Sequence, residues 1–342
     1  MRHQRRRVPS DRVGSWRARW VARALSVGVR PLVEVLPDSP AGIRTARRVV
    51  AGFLAVVSRP DPQAVVTRID EPAAGGARVR GEWVRVREAA APGEAPRSVG
   101  VGPAVFYVHG SGFAVASART HRGITSRLAR LTGLPVFACD YRLAPSHRFP
   151  AAADDVEAAF GWLLEQGVDP ARVVLAGDSA GGHLVVDLAA ELRRTGRPGP
   201  AGLVLFSPLI DLSFARARAR ERRAGRDPMV SVARAQRLVS LHLRAADPAS
   251  PRLRFTPDTV AGLAPMLIHA GGAEVLADDA THLTSLVRAA GGEAQLRVWP
   301  GQVHVFQALT GVVPEATRAL HEAAAFIHRQ LLEGRPRLEE CS

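Results

Sequence analysis

The chain has 342 residues, 46% hydrophobic and 23% charged, which is typical of a globular protein with a large core. Its formal net charge of +14 is concentrated in two segments. Residues 1–30 hold nine arginines and one acid, and residues 216–226 hold six arginines and one acid. The remainder is almost neutral and carries no recognisable nucleic-acid-reading motif, so we predict no nucleic-acid partner.

The cysteines and the N-terminal stretch indicate the cellular compartment in which the protein is expected. Cys139 ends a predicted core strand and Cys341 is the penultimate residue, a placement that argues against a structural disulfide. The apolar stretch 21–36 is interrupted by arginines, Pro31 and Glu34, so it lacks the core of a secretion signal and is too polar to span a bilayer. We therefore predict a cytoplasmic protein without stable membrane insertion.

Three regions follow one another along the chain. Residues 1–60 form a basic N-terminal arm with helical parts, residues 61–335 form the main domain, and residues 336–342 form a C-terminal tail. Residues 79–86 alternate apolar and polar side chains, which is typical of an exposed antiparallel strand at a sheet edge. The Ala-, Pro- and Gly-rich stretch 88–103 is predicted to be a loop.

Short apolar strands then alternate with amphipathic helices. Strands are predicted at 104–108, 135–138, 173–176, 203–206, 266–269 and 295–298, and helices at 120–131, 151–164, 183–194, 277–290 and 314–332. This alternation predicts a mainly parallel sheet with helices on both faces. Residues 213–246, charged and then helix-like, interrupt the pattern between two core strands. Such an insertion would lie over the carboxyl ends of the strands, where ligands bind, so we interpret it as a lid.

One strand runs directly into Gly177-Asp178-Ser179-Ala180-Gly181, and a helix follows. The glycines allow two backbone segments to approach where a strand turns sharply into a helix. The serine at the apex would be strained, with its hydroxyl exposed above the sheet. This arrangement predicts a nucleophile elbow.

A second loop of small residues, His109-Gly110-Ser111-Gly112, also follows a buried strand. Its backbone N–H groups could point at a carbonyl oxygen near the elbow serine, together with the N–H of Ala180. The alternative interpretation is a tight turn that needs glycine for backbone reasons alone.

A base and an acid follow the elbow in chain order. His304 lies on the loop after the last predicted strand, where it could take the serine proton. Glu274 lies on the loop after the strand at 266–269 and is the favoured orienting carboxylate, with Asp278 the alternative acid. Asp278 and Asp279 could instead simply cap the helix that follows. Asp278 and His282 have the spacing of a metal-ligand pair, but no third ligand is evident and we predict no metal.

These motifs resemble those of the hormone-sensitive lipase family of α/β-hydrolases, whose bacterial members are carboxylesterases. Besides the two loops and His304, the segments 140–145 and 149–152 share in a resemblance that covers roughly residues 75–332. It implies an α/β-hydrolase fold with an eight-stranded, mainly parallel sheet. It also implies a helical lid built from the N-terminal helices and the 213–246 insertion.

The resemblance also implies residue roles. Ser179, Glu274 and His304 would form the triad, and the N–H groups of Ser111, Gly112 and Ala180 the oxyanion hole. Two departures stand out: Ser111 replaces the middle glycine of the oxyanion loop, and the acid is glutamate where many members have aspartate.

The predicted function is a serine carboxylesterase without a cofactor, acting on short- to medium-chain esters, or on lactones or acetylated small metabolites. One alternative is an amidase or deacetylase with the same triad. Another is a non-catalytic small-molecule-binding protein on this scaffold, against which the presence of His304 argues. For the oligomeric state, a homodimer is one hypothesis.

Overall fold

The computed structural model describes residues 14–35, 37, 39–87, 102–244 and 246–333. The first thirteen residues of the basic arm, the C-terminal tail and Cys341 lie outside the described residues, as does most of the predicted loop at 88–103.

Eight strands in the described residues form one sheet. They are β1 (Ala64–Pro72), β2 (Arg78–Val86), β3 (Ala104–Val108), β4 (Val136–Asp140), β5 (Val173–Asp178), β6 (Gly202–Phe206), β7 (Met266–Gly271) and β8 (Ala294–Trp299). Their order across the sheet is β1-β2-β4-β3-β5-β6-β7-β8. The pairs β1–β2 and β2–β4 are antiparallel, and the other neighbours are parallel. The predicted eight-stranded, mainly parallel sheet is confirmed.

The α-helices of the described residues alternate with the strands from β3 onward. They are α1 (Trp16–Glu34), α2 (Pro40–Val57), α3 (Arg122–Thr132), α4 (Ala151–Glu165), α5 (Ser179–Arg194), α6 (Ala215–Ala224), α7 (Val232–Leu243), α8 (Pro257–Val260), α9 (Ala277–Ala289) and α10 (Pro314–Glu333). Both the charged and the apolar parts of the 213–246 insertion are therefore helical.

The core lies on both faces of the sheet, because successive strand residues point to opposite sides. On one face, Phe106 and Leu175 pack with residues of α4 and α5 such as Phe160 and Leu188. On the other face, α3 and α10 cover strand residues such as Val105. Helices on both faces were predicted and are confirmed.

Two predictions were wrong: the position of one strand in the sheet and the start of one helix. The strand at 79–86 is not at the edge, since β1 pairs along its outer side and leaves β2 second in the sheet. Trp83 in β2 is buried and packs edge-on against Phe137, which the polar alternation of the sequence did not indicate.

The helix after the elbow begins at Ser179 rather than at His183. Ser, Ala and Gly at its start carry little apolar signal, so tertiary packing fixes this first turn.

Four helices contact the loops that follow the strands. The apolar face of α1 packs on Trp299, Val303 and Phe306. On α2, the Arg47 guanidinium donates hydrogen bonds to the carbonyl oxygens of Ala114 (2.9 Å) and Ala144 (3.1 Å). The helices α6 and α7 also contact strand-end loops, through Arg220 on the loop that bears Glu274 and Leu238 beside Gly112. All four therefore lie at the carboxyl edge of the sheet.

Two further findings concern membranes and thiols. None of the helices in the described ranges is both long enough and apolar enough to cross a bilayer. Cys139 in β4 is a buried free thiol, and burial raises its pKa well above the ordinary value, so the thiol stays protonated at neutral pH.

Candidate active site

Ser179 lies at the junction of β5 and α5 with a positive φ of 51°. A non-glycine residue rarely adopts this conformation, and it persists only where surrounding packing imposes it. The packing here is close: a Cβ on Gly181 would lie 2.1 Å from the carbonyl oxygen of Val108, and one on Gly177 would lie 2.8 Å from that of Gly181. The two glycines are thus required by backbone approach, as the elbow prediction assumed.

The predicted base lies beside the elbow serine. His304, on the loop after β8, has its Nε2 atom 3.0 Å from the Oγ atom of Ser179. Its Nδ1 atom lies 2.5 Å from Oε2 of Glu274. The fold therefore brings together three side chains from the loops after β5, β7 and β8.

The carboxylate of Glu274 is buried and held on its second oxygen. Oε1 accepts a hydrogen bond from the backbone N–H of Gly271 (2.5 Å) and one from the hydroxyl of Ser207 (2.8 Å). The Ser207 hydroxyl also accepts from the N–H of Val305, next to the histidine (3.1 Å). Ser207, which follows β6 with a φ of 50°, thus joins the acid loop to the base loop.

Sequence reasoning missed Ser207. The available signal was its position, one residue beyond the end of a core strand at the same sheet edge as the other loops.

The alternative acid, Asp278, is engaged elsewhere. Its two carboxylate oxygens accept hydrogen bonds from Arg220 and Arg223 of α6, each at 2.9 Å. Arg220 also donates to the carbonyl oxygens of Glu274 (2.7 Å) and Gly272 (2.8 Å). The arginine-rich segment therefore includes a side chain that holds the loop bearing Glu274.

Asp279 does not cap α9, whose N-terminus has no side-chain cap. Its carboxylate instead accepts hydrogen bonds from the N–H groups of Ile210 and Asp211, both at 2.8 Å. The proposed capping role was wrong, because the sequence contains no signal for this contact with the loop after β6.

The His109–Gly112 loop lies directly on the elbow. A Cβ on Gly110 would lie 2.3 Å from Oδ2 of Asp178 and 2.9 Å from the Cβ of Ser179. Ser111 and Gly112 both have positive φ, 78° and 63°. The loop therefore packs directly against the elbow, and close backbone approach accounts for glycine at 110.

Residues of α7 also border this loop. A Cβ on Gly112 would lie 2.8 Å from Cδ2 of Leu238. The lid segment therefore reaches the predicted oxyanion loop.

A buried polar network supports the loop from below. The Asp178 carboxylate accepts hydrogen bonds from the Tyr107 hydroxyl (2.7 Å) and the Gly110 N–H (3.2 Å), and its Oδ2 lies 3.4 Å from Nε2 of His121. Burial opposes the charged carboxylate, but His121 and the hydrogen bonds outweigh it and lower the pKa of Asp178. Burial also opposes a charged His121, yet the Asp178 carboxylate raises the pKa of that ring.

The protonation state of His109 differs from that of His121. Burial and the neighbouring His121 lower its pKa to about 3, so its ring is neutral, and it stacks on Tyr141 at 4.3 Å between ring centroids. The Tyr141 hydroxyl donates to the carbonyl oxygen of His109 (2.8 Å). His121 is buried in this network, whereas His147, on the loop after β4, is exposed.

Comparisons with known proteins agree with this architecture. A family model described as alpha/beta hydrolase fold matches residues 105–308. An esterase from the bacterial hormone-sensitive lipase family has a crystal structure with a TM-score of 0.78 and 32% identity, covering 93% of this chain and 99% of that one. The chain belongs to the hormone-sensitive lipase family of α/β-hydrolases.

Sequence relatives of this family member are named as hydrolases. An acetyl-hydrolase of Streptomyces hygroscopicus is 39% identical over 68% of this chain and 78% of its own length. The carboxylesterase/phospholipase LipF of Mycobacterium tuberculosis is 37% identical over 80% of this chain and 72% of its own length.

The conformation of Ser111, in the predicted oxyanion loop of this hormone-sensitive lipase family member, leads to a prediction about stability. At φ 78°, Ser111 bears strain that glycine would not. We expect Ser111→Gly to raise the free energy of unfolding by at most about 1 kcal/mol, since glycine's larger unfolded-state entropy offsets part of the relief. Urea unfolding measures it.

The matched control is Ser285→Gly, the same change at an exposed position within α9. It is expected to cost about 0.5 kcal/mol through helix propensity. Equal destabilisation by both changes would contradict strain at Ser111.

Proposed function

We propose that this chain is a carboxylesterase in which Ser179 is the nucleophile, His304 the general base and then general acid, and Glu274 the orienting carboxylate. The observation that carries the proposal is the continuous contact from Ser179 Oγ through the two ring nitrogens of His304 to Glu274. The names of the relatives, a carboxylesterase and an acetyl-hydrolase among them, support ester bonds as the target.

In this mechanism the Ser179 oxygen attacks the ester carbonyl carbon while His304 Nε2 takes the hydroxyl proton. Glu274 stabilises the imidazolium that forms. The N–H groups of Ser111, Gly112 and Ala180 would bind the negative oxygen of the tetrahedral intermediate. Collapse expels the alcohol, which receives the proton from His304, and a water molecule activated by His304 then releases the acid from Ser179.

Supporting residues keep these groups in place. Asp178, through Gly110, holds the oxyanion loop against the elbow, and Ser207 fixes the orientation of Glu274. The helices α1, α2, α6 and α7 would form the lid. A cytoplasmic location and a homodimer stay predictions of the sequence.

The pH dependence follows from the state of His304. Burial favours the neutral ring, but the hydrogen bond and charge of Glu274 outweigh it, so the pKa of His304 lies above its ordinary value of 6.5. Because the base must be neutral, we expect kcat/KM to fall on the acid side with an apparent pKa above 6.5. A pH–rate profile with a water-soluble ester measures this.

Glu274→Gln should move that acid limb to lower pH, because the ring loses the charge that stabilises its protonated form. Asp278→Asn should leave the limb in place. An apparent pKa below 6.5 for the acid limb of the wild-type pH–rate profile would show that Glu274 does not control the charge of His304.

A substrate panel tests the function. Chromogenic esters of increasing acyl length, lactones and acetamides are offered to the wild type and to Ser179→Ala. The expected result is hydrolysis of acetyl and other short-chain esters by the wild type alone. Preference for acetamides would indicate an amidase or deacetylase. Equal inactivity of both proteins on every compound, with retained binding of a small ester, would indicate a binding protein.

A further inference from the structure

The outward face of α1 carries an unusual concentration of apolar surface. The described residues include nine exposed large hydrophobic side chains, and five of them lie on α1 or at its C-cap. They are Trp16, Trp20, Val27, Leu32 and Val35. Trp16 and Trp20 are each 66% exposed, whereas the other three tryptophans are at most 4% exposed.

The geometry of the helix puts the main part of this surface on one stripe. Trp16, Trp20 and Val27 are spaced at 3.6-residue periodicity and point away from the protein. The opposite face, with Ala18 and Leu25, is buried on the loop that carries His304. The helix therefore has two apolar faces. One is buried against the protein, and the other faces outward.

Arginines border the outward stripe. Arg17, Arg19 and Arg23 are exposed on its two flanks, and the Arg17 guanidinium lies over the Trp16 ring at 5.5 Å. The segment 1–30 as a whole carries nine arginines and one acid. Tryptophan in the centre with arginine at the flanks is the pattern of a helix that lies in a membrane interface, where indole rings settle at headgroup level and arginines meet phosphate.

We propose that α1 binds the surface of an anionic phospholipid bilayer, lying parallel to it with Trp16 and Trp20 in the headgroup region. This is peripheral binding and not a membrane span. A second copy of this chain fits the face poorly, because two α1 helices meeting by two-fold symmetry would bring their flanking arginines together. A negatively charged bilayer supplies both the apolar layer and the opposite charge.

The placement of α1 connects this surface to the site. The inner face of the helix packs on Val303 and Phe306, which flank His304. Docking α1 on a bilayer would therefore hold the loop that bears His304 about one helix diameter, roughly 10 Å, from the lipid surface. The binding itself does not depend on the proposed esterase activity.

The test uses the full chain as Ser179→Ala, so that no lipid is hydrolysed and the outcome is independent of catalysis. The Ser179→Ala protein is sedimented with vesicles of phosphatidylcholine and, separately, with vesicles of equimolar phosphatidylcholine and phosphatidylglycerol. We expect partition onto the anionic vesicles, weakening as salt is raised, with a blue shift of tryptophan emission. That shift must come from Trp16 and Trp20, since the other tryptophans are already buried.

Two added changes separate the apolar and the charged contributions. Trp16→Ser with Trp20→Ser should lower the partition coefficient at least tenfold and abolish the blue shift. Arg17→Gln with Arg23→Gln should lower partition onto anionic vesicles by roughly thirtyfold. Leu332→Ser, at an exposed position of α10, and Arg172→Gln with Arg329→Gln are the matched controls, and they should change neither the partition nor the blue shift. Circular dichroism checks that every variant is folded.

Several results would overturn the proposal. They are absence of partition onto anionic vesicles, equal partition onto neutral vesicles, and unchanged partition after both tryptophans are replaced. A dimer in analytical ultracentrifugation that the tryptophan change dissociates, without vesicle binding, would assign the surface to a second copy instead.

Discussion

Ser179→Ala is expected to lower kcat/KM for an activated short-chain ester by about a million-fold, to the level supplied by binding and the oxyanion hole alone. The reason is that the Oγ atom 3.0 Å from His304 is the atom proposed to form the acyl-enzyme. His304→Ala should cause a loss of similar size, and the double variant little more, because the two side chains act as one unit. Steady-state kinetics at saturating and limiting ester measure these losses.

The matched control is Ser285→Ala on the exposed face of α9, which should retain full activity. Thermal unfolding followed by circular dichroism shows whether each variant keeps the fold. A folded Ser179→Ala protein with wild-type kcat/KM would reject Ser179 as the nucleophile, and additive losses in the double variant would argue that the two residues act separately.

Glu274→Gln is expected to lower kcat by about 10⁴-fold, as loss of the orienting carboxylate does in comparable triads. Glutamine has nearly the same size, but its amide group can donate toward Nδ1 of His304 and so favour the wrong tautomer. The carboxylate contact at 2.5 Å and its stabilisation of the imidazolium would both be lost. The same ester assay measures the change in kcat.

Asp278→Asn is the comparison that separates the two candidate acids. Asp278 pairs with Arg220 and Arg223, so its loss should cost no more than about 1 kcal/mol of stability. We expect its kcat to stay within about threefold of wild type, which is a change of no more than about 0.65 kcal/mol in the activation free energy. The opposite outcome, an active Glu274→Gln and an inactive Asp278→Asn, would transfer the orienting role to Asp278.

The elements that could be predicted are those with local signals. Continuous apolar runs identified the strands that became β3 to β7, because a strand buried on both faces is marked along its own length. The pair of glycines around Ser179 identified the elbow for a similar reason: close backbone approach excludes side chains at fixed offsets in sequence. The position of β1 was missed, since its six exposed positions leave a weak pattern.

The sequence by itself therefore determined the fold class, the family resemblance and the residues proposed for the chemistry: Ser179, Glu274, His304 and the loop around Ser111. Each of these is marked by short-range composition or by its position after a strand.

Only the tertiary structure decided which distant groups meet. Ser207 reaches Glu274 across 67 positions, Arg220 holds the same loop across 54, and His121 pairs with Asp178 from another strand-end segment. It also decided which face of α1 is turned outward with Trp16 and Trp20. The physical reason is that hydrogen bonds and packing across such separations depend on the three-dimensional path of the backbone, and the residues involved carry no local pattern that marks their partners.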